Sequence, residues 1–465
     1  MSAGLSAARA ALVGRRAWLV GGVVRDELLG RPSADDFDII VEGDVELAAR
    51  AVAREARAAV FELSGDWGSW RVSARDGAWQ VDLSPLRGGT LVEDLAARDF
   101  TVNAIARELG GGAQLIDPLS GAEDLQRGIL RLAAPDALSS DPVRALRLVR
   151  FCCQLDMSAS PEASRAARLA APGLARVAPE RVFAELCSTI TSARAVQGVR
   201  MLGELNLSAV VLPELDALAG VAQNRFHHLD VHGHTLEVLD RVIRLEAEPA
   251  EVIGGQHAEQ VSAVLAQPLA DGLTRGGALR FGALLHDVAK PLTRTQLAAG
   301  RVGFPAHDER GADVSRQVLG RLRASERLRG HVAALARHHL RLGFLVHHAP
   351  LGRRAIYAYL DACEPVAVDV TLLSCADRLA TRGADAERSI ARHLELAREL
   401  IGPALHWQAA GRPSPLLRGD ALAAAVGIPP GPRLGDLLAQ LEEAQFAGEI
   451  TNREQAVEYA RALIA

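Results

Sequence analysis

The sequence contains little cysteine, and the spacing of its cysteines is not typical of a metal or redox site. Its five cysteines include the adjacent pair Cys152 and Cys153, and no C-x-x-C pair occurs. This excludes a disulfide-stabilised secreted scaffold and a cysteine-based zinc site. No run of 18 apolar residues occurs either, and the N-terminus lacks an apolar segment followed by a cleavage site. We therefore expect a cytoplasmic location and no membrane partner.

Basic charge is also not in excess. The 52 lysines and arginines stand against 57 acidic residues, which gives a formal net charge of −5, and Lys290 is the only lysine. The overall composition therefore predicts no nucleic-acid partner, and any such surface must be local. Residues 144–200 have this local character, with nine arginines and four acidic residues. They form either solvated helix faces or a phosphate-binding surface, and we take them as the candidate RNA contact.

The chain has 465 residues, enough for about three domains of roughly 150 residues each. Residues 17–130 alternate short apolar strands with helices, including predicted strands at 18–20 and 37–41 and a hairpin around Asp76-Gly77. The remainder shows apolar residues at spacings of three and four, which predicts helices almost to the end. Residues 245–277 break this spacing with proline, glycine and acidic residues, and we predict a loop or an insertion there.

A glycine pair marks the first candidate site. Gly21 and Gly22 end a predicted strand and begin a predicted helix, so the backbone can approach a ligand closely and direct N–H groups at an anion. Arg25 adds a positive charge one turn into the helix. Phosphate fits this element chemically.

Two carboxylates follow shortly after the glycine pair. The period of two in a strand places Asp36 and Asp38 on one face, while Phe37 and Ile39 point into the core. Such a pair can hold divalent metal ions, whereas two unpaired carboxylates would repel each other. The alternative is a solvated strand end, which the phosphate-binding element just upstream disfavours. Asp82, in another predicted strand, is the candidate third carboxylate.

Four ordered motifs resemble those of the polymerase β-like nucleotidyltransferase superfamily. They are GGVVRDELLG, DDFDII, RDFTVNA from Arg98 and DPVRALRLVRF from Asp141. Together they are similar to the bacterial family of tRNA nucleotidyltransferases and poly(A) polymerases. The resemblance implies that the glycine turn and the first arginine bind a triphosphate and that the D-x-D pair holds Mg²⁺. By position, the implied catalytic residues are Asp36, Asp38 and Asp82, and the implied nucleotide-binding residues are Gly21, Gly22, Arg25, Arg98, Asp99, Asn103, Asp141, Arg144, Arg147 and Arg150.

In this family an aspartate and an arginine, both in the last motif, pair with the incoming base. Asp141 and Arg144, three residues apart, are expected on one helix face, where a carboxylate acceptor beside a guanidinium donor can match the hydrogen-bonding edge of a base. Arg147 and Arg150 continue this face towards a triphosphate or an RNA backbone. Ser140 stands where the family usually has glutamate, so one carboxylate beside the template is missing.

A second departure from the family lies after the strand that contains Asp82. Enzymes that build the whole CCA end usually carry a longer flexible loop there, and in this family the loop lets the template switch from CTP to ATP. Only residues 84–89 remain at this place. The short connection therefore favours an enzyme that adds only the two cytidines. Full CCA addition remains the alternative if switching survives without the loop.

A second group of residues, spread over predicted helices, is typical of a metal site. Histidine and aspartate recur in the order H…HD…H…H…D, which suits divalent metals and resembles the HD phosphohydrolase domain. The resemblance implies phosphoester hydrolysis by metal-bound water, with terminal or cyclic phosphates of damaged tRNA ends as substrates. Lys290 is expected either to reach a substrate phosphate or to be solvated. The implied metal ligands are His234, His286, Asp287 and Asp377, and His307 and His338 are expected to support a second metal or to contact phosphate.

We therefore predict an α+β polymerase β-like nucleotidyltransferase head followed by all-α neck/body, HD and tail domains, with bounds at 1–135, 136–218, 219–395 and 396–465. The predicted function is CC addition to the tRNA 3′ end from CTP, with ATP left open, together with HD phosphohydrolysis. Alternatives are full CCA addition, a poly(A) polymerase with the same four motifs, and a phosphohydrolase whose head only binds RNA. A head that only binds RNA would not need both carboxylates. The sequence leaves the oligomeric state open.

Overall fold

Two units make up the chain, Met1–Val211 and Leu212–Ala465. The computed structural model describes residues 2–32, 35–64, 68–111, 114–224, 227–297, 301–382 and 386–464. Within these ranges no helix is both long enough and apolar enough to span a bilayer.

The first unit is built on a seven-stranded sheet. Its strands are β1 (Ala17–Val20), β2 (Asp36–Val41), β3 (Ala59–Ser64), β4 (Ser69–Ser73), β5 (Gln80–Pro85), β6 (Ala106–Glu108) and β7 (Leu115–Ile116). They lie in the order β3-β4-β5-β2-β1-β6-β7, with β2 and β5 parallel and the other neighbours antiparallel. The predicted strands at 18–20 and 37–41 are confirmed, and so is the hairpin, which pairs β4 with β5.

Helices flank the sheet, and the rest of the first unit after the sheet is mainly helical. They are α1 (Ala3–Ala11), α2 (Gly22–Leu28), α3 (Val45–Ala56), α4 (Leu91–Ala96), α5 (Gly121–Arg127), α6 (Ala137–Ser140), α7 (Val143–Leu155), α8 (Pro161–Ala170), α9 (Pro179–Ile190), α10 (Ala195–Glu204) and α11 (Ser208–Val211). A short parallel pair, β8 (Ile129–Leu130) and β9 (Ser158–Ala159), lies among them. α7 packs against α9 and α10, so the helical part of this unit has its own apolar interior.

The second unit is almost entirely helical. Its helices are α12 (Pro213–Asp216), α13 (Val231–Ala247), α14 (Pro249–Ile253), α15 (Ala258–Leu265), α16 (Arg275–Leu285), α17 (Lys290–Thr293), α18 (His307–Arg321), α19 (Glu326–His338), α20 (Arg341–Leu345), α21 (Arg353–Ala362), α22 (Ala367–Leu379), α23 (Ala386–Ala410), α24 (Gly419–Val426), α25 (Pro432–Ala447) and α26 (Arg453–Ile464). Helices α13, α16, α19 and α22 pack against one another. The last three helices enclose a separate apolar cluster that includes Leu422, Leu437 and Leu441.

The prediction of a loop at residues 245–277 is wrong, and the alternative of an insertion stays a prediction. α13 continues to Ala247, α14 and α15 follow, and a hairpin of β10 (Pro268–Ala270) and β11 (Leu273–Thr274) leads into α16. Pro249 is the first residue of α14, where its missing N–H has no helical partner to lose. Gly254 ends that helix with a φ of 83°. The residues that break the apolar spacing are therefore helix boundaries.

Candidate functional site

One face of the sheet collects the predicted carboxylates. β2 and β5 are parallel neighbours, and their register places Asp38 opposite Asp82 and Asp36 opposite Gln80. β2 alternates exposed Asp36 and Asp38 with buried residues, as predicted. Partial loss of solvent raises the pKa of Asp38, and the charges of Asp36 and Asp82 add to this effect while Arg98 opposes it. The three carboxylates thus form one cluster of like charge.

Asp82 differs from the other two carboxylates because it is bound by an arginine. Arg71 lies opposite it on β4, and its Nε and Nη2 each donate a hydrogen bond of 2.7 Å to the Asp82 carboxylate. The charge of Asp82 is therefore balanced within the protein. Asp36 and Asp38 are left as the candidate metal ligands, and their all-oxygen donor set suits a hard cation such as Mg²⁺.

The glycine turn lies directly beside these carboxylates. Gly21 has a φ of 74° and precedes the first residue of α2. A Cβ at this position would lie 3.0 Å from Nη1 of Arg98 and 3.4 Å from Oδ2 of Asp38. Both the backbone conformation and the close approach therefore require glycine.

A chain of hydrogen bonds links α2 to α7 beneath the cluster. Nη1 of Arg25 donates to Oδ1 of Asn103 at 2.7 Å, and the Asn103 amide donates to Asp99 at 3.0 Å. Nε of Arg147 donates to the other oxygen of Asp99 at 2.7 Å. Burial alone would raise the pKa of Asp99, but Arg147 and Asn103 hold it below its usual range. Asp99 is therefore an ionised, buried anchor for two arginines.

The start of α7 differs from the expectation for the base template. Asp141 does not lie on the helix with Arg144 but precedes it, in extended backbone. Its Oδ2 accepts a hydrogen bond of 2.6 Å from Nη2 of Arg181 on α9. The Arg144 guanidinium donates to the backbone carbonyls of Ala97 at 3.0 Å and Ala137 at 3.1 Å. Both template candidates are thus held in place by other groups of the same unit.

The residues of this site line one cleft of about 690 Å³. Its lining includes every residue predicted for the head: Gly21, Gly22, Arg25, Asp36, Asp38, Asp82, Arg98, Asp99, Asn103, Asp141, Arg144, Arg147 and Arg150. Arg150 lies 3.1 Å from Glu185, whose pKa is raised by burial against the charges of Arg150 and Arg147. Arg71, Arg181 and Glu185 were not predicted from the sequence, because they are partners of motif residues rather than motif members.

The second unit brings six histidine and aspartate residues into two adjacent groups. His234, His286 and Asp377 form one group, and Asp287, His307 and His339 form the other. Within each group the potential ligand atoms lie within 4.8 Å of one another. Spacing of this kind suits one divalent ion in each group.

Asp287 lies between the two groups. Its Oδ2 is 3.1 Å from Nε2 of His286 and 3.8 Å from Nε2 of His234. Its Oδ1 is 3.3 Å from Nε2 of His307 and 3.8 Å from Nε2 of His339. Burial would raise the pKa of Asp287, but the charges of His286 and Lys290 hold it well below its usual range. One carboxylate can therefore serve both groups.

Three of the histidines have the ring orientation of metal ligands. Nδ1 of His286, His307 and His339 lies 2.8, 2.7 and 2.6 Å from the backbone carbonyl three residues earlier. A hydrogen bond at Nδ1 leaves Nε2 as the lone-pair donor. Among the residues that the structure describes, Nε2 of His286 and His307 and Oδ1 of Asp287 are buried without a hydrogen-bond partner. This nitrogen and oxygen donor set fits divalent metal ions.

Two expectations for this site need correction. His338 lies outside the cluster, where its Nδ1 accepts a hydrogen bond of 2.9 Å from Arg341, and the next residue, His339, takes the expected place. Burial and the charge of His286 lower the pKa of His339 to about 4, so its ring is neutral near pH 7. Lys290 is not solvated: its Nζ lies 2.6 Å from Asp287 and 2.7 Å from Gln223.

A cavity of about 400 Å³ opens onto the second group. Asp287, His307, His339 and Asp377 line it, together with the cations Lys290, Arg378 and Arg392. Positive charge beside a metal-binding group suits an anionic ligand.

These two sites define a class of protein: a nucleotidyltransferase-type cleft with a D-x-D strand, joined in one chain to an HD-type metal site. Three family descriptions match the chain in the same order. They are "Poly A polymerase head domain" over residues 17–131, "Probable RNA and SrmB- binding site of polymerase A" over 156–218, and "HD domain" over 231–382.

Two relatives match nearly the whole chain. The A-adding tRNA nucleotidyltransferase of Deinococcus radiodurans is 36% identical over 444 residues, which is 94% of this chain and 93% of that protein. The CC-adding tRNA nucleotidyltransferase of Thermus thermophilus is 33% identical over 452 residues, with 95% and 92% covered. The chain therefore belongs to the CCA-adding family of tRNA nucleotidyltransferases, and the recognition made from its motifs is confirmed.

Solved structures agree on the fold. The Thermotoga maritima CCA-adding enzyme complexed with tRNA matches with a TM-score of 0.62 at 18% identity, covering 100% of this chain and 95% of that one. A CCA-adding enzyme in an apo form matches with a TM-score of 0.64 at 18% identity, covering 99% and 93%. The predicted class, an α+β head followed by a helical body, is confirmed, while the four domain boundaries stay a prediction.

Proposed function

We propose that the first unit adds cytidines to the 3′ end of tRNA, using CTP and Mg²⁺. The observation that carries this is the single cleft that holds the exposed Asp36 and Asp38, the glycine turn and seven arginines. Bound by these two carboxylates, Mg²⁺ would activate the terminal 3′-hydroxyl and neutralise the leaving pyrophosphate.

The other residues of the cleft bind and orient the two substrates. The N–H groups at the start of α2 and the Arg25 guanidinium are directed at the triphosphate. Arg147 and Arg150 add positive charge along the same side, and Asp99 and Glu185 fix their positions. Asp141 and Arg144 would meet the edge of the incoming base, with Arg181 holding Asp141 in position.

The short connection after β5 favours a template that accepts one kind of nucleotide. Its backbone is bonded to α4 at several points: the Arg87 N–H donates to Asp94 at 2.9 Å and the Gly89 N–H to Glu93 at 2.7 Å. Thr90 and Glu93 close a capping box at the start of the same helix. A connection fixed in this way has little freedom to reset the template between CTP and ATP.

Addition of a single adenosine is the second candidate. A fixed template fits one nucleotide of either kind, and the relative from Deinococcus radiodurans is an A-adding enzyme. Cytidine is our first choice because the short connection resembles that of CC-adding enzymes, and because relatives from Thermus thermophilus and Geobacter sulfurreducens carry that name. The cytoplasmic location stays a prediction from the sequence.

For the second unit we propose metal-dependent phosphoester hydrolysis. His234, His286 and Asp377 would hold one divalent ion and Asp287, His307 and His339 another, which together supply an activated water. Arg378 and Arg392 are placed on the cavity wall to bind the substrate phosphate. Terminal or cyclic phosphates of RNA ends are the proposed substrates.

Two variants separate the proposed activities. Asp36→Ala combined with Asp38→Ala should abolish extension of tRNA by CTP but leave Mn²⁺-dependent hydrolysis of 2′,3′-cyclic CMP unchanged. His286→Ala should have the opposite effect. Glu123→Ala, an exposed residue of α5, serves as the control that changes neither. Loss of both activities in either variant, or of neither, would contradict the assignment of two independent sites.

A further inference from the structure

Two large apolar side chains are exposed on the edge strand β3. Phe61 is 47% exposed and Leu63 is 45% exposed. Leu63 lines the same cleft as Asp38 and Asp82. Single exposed apolar residues are common on protein surfaces. Two such side chains on one strand, one aromatic and one aliphatic, next to a charged cleft indicate a binding surface.

The sheet register places Phe61 on the face that carries the carboxylates. Phe61 lies opposite Arg71, Arg71 opposite Asp82, and Asp82 opposite Asp38. Residues directly opposite each other in a sheet point to the same face, so these four form one row across four strands. At about 4.8 Å for each strand, Phe61 lies roughly 14 Å from Asp38.

The opposite face of the same strands is already covered. Val72, Val81 and Phe37 form the neighbouring row, and all three are fully buried. α3 packs on that side, where Arg50 lies over the ring of Trp70. The exposure of Phe61 therefore belongs to the functional face of the sheet and not to an open core.

The layout of the cleft leaves this end of the sheet for the acceptor. Gly21 and Arg25 serve the triphosphate in the proposed function. Gly21 directly follows β1, the neighbour of β2 on one side, and Arg25 follows on α2. Strands β5, β4 and β3 extend from the other side of β2. A chain whose 3′-hydroxyl reaches Asp36 and Asp38 from the side opposite the triphosphate would lie over these three strands.

We propose that Phe61 and Leu63 form a stacking platform for the unpaired bases at the 3′ end of the RNA acceptor. This rests on the proposed function of the first unit and names the acceptor part of that site. A flat apolar surface can stack on any of the four bases, because every base has an aromatic face. The arginines of the adjacent cleft complement the phosphates that join these bases. The platform thus binds the acceptor end without base-specific contacts.

Steady-state extension of tRNA lacking its CCA end tests the platform. Phe61→Ala should raise the KM for tRNA roughly tenfold, since stacking on an aromatic ring is lost, and leave the KM for CTP unchanged. Phe61→Tyr should retain the wild-type KM and Phe61→Leu should not, because the ring and not bulk apolar area is required. Val13→Ala, which removes another exposed apolar side chain of this unit, is the matched control.

A second measurement needs no catalysis. A tRNA with 2-aminopurine as its last nucleotide should lose fluorescence on binding to the wild type and not on binding to Phe61→Ala. Equal quenching and an equal KM for tRNA in both proteins would overturn the platform, and so would a change confined to the KM for CTP. Failure of the wild type itself to extend any tRNA would instead reject the proposed function.

Discussion

Replacing Asp99 by alanine should destabilise the first unit and weaken its binding of CTP. The buried Asp99 carboxylate accepts hydrogen bonds from Arg147 at 2.7 Å, from the Asn103 amide at 3.0 Å and from the N–H of Phe100 at 2.8 Å. Without it, Arg147 loses its principal counter-ion, and Asn103 loses the group that orients it towards Arg25. Stability and nucleotide affinity should therefore fall together.

The size of the effect follows from how far the pair is buried. Removing one partner of a fully buried ion pair costs about 3–5 kcal/mol, whereas an exposed pair contributes less than about 1 kcal/mol. The Asp99 side chain is 6% exposed but that of Arg147 is 34% exposed, and Glu185 lies 3.8 Å from Arg147 as a second anion. We therefore expect a loss of about 2–3 kcal/mol in the free energy of unfolding.

Urea unfolding followed by tryptophan fluorescence measures this loss in the first unit. Four of the five tryptophans, at positions 18, 67, 70 and 79, belong to that unit. Asp99→Asn should lose less because it keeps an acceptor for the Phe100 N–H. The control is Glu123→Ala, which breaks an exposed pair with Arg127 and should cost less than about 1 kcal/mol. A cost for Asp99→Ala as small as that of the control, with an unchanged KM for CTP, would refute the reasoning.

Three further predictions concern both units. Gly21→Ala should raise the KM for CTP about tenfold, because alanine at a φ of 74° is strained and its Cβ would crowd Arg98. His286→Ala should remove at least one of two Mn²⁺ ions counted by calorimetry. Loss of solvent lowers the pKa of buried His393 to about 4. Below about pH 6.5 the unfolded chain therefore binds a proton at His393 that the folded chain does not, and the free energy of unfolding should fall by about 2 kcal/mol between pH 7 and 5. His393→Gln should lose this slope in calorimetric unfolding without metal.

Local patterns were sufficient to predict the elements that carry the first site. The alternation along β2 places Asp36 and Asp38 together because each residue's direction depends only on its neighbours. The hairpin between β4 and β5 was predicted from Asp76-Gly77, and its register would also have paired Arg71 with Asp82. That partner could therefore have been found from the sequence.

Partners that lie far apart in the sequence could not be predicted from local patterns. Asp99 and Arg147 are 48 positions apart, and Arg181 reaches Asp141 across 40 positions, so only the folded chain shows these pairs. The choice between His338 and His339 has the same origin, since one step along a helix turns a side chain by about 100°. Which of the two faces the cluster depends on how α19 packs against α16 and α18.

The most direct test of the central proposal is single-nucleotide extension of two acceptors, a tRNA that lacks the whole CCA end and a tRNA that already ends in CC. Each is incubated with CTP, with ATP and with both. We predict two cytidines on the first acceptor and no addition to the second, even with ATP present. One adenosine on the second acceptor, a completed CCA end, a long adenosine tail, or no extension of either acceptor would contradict CC addition by this protein.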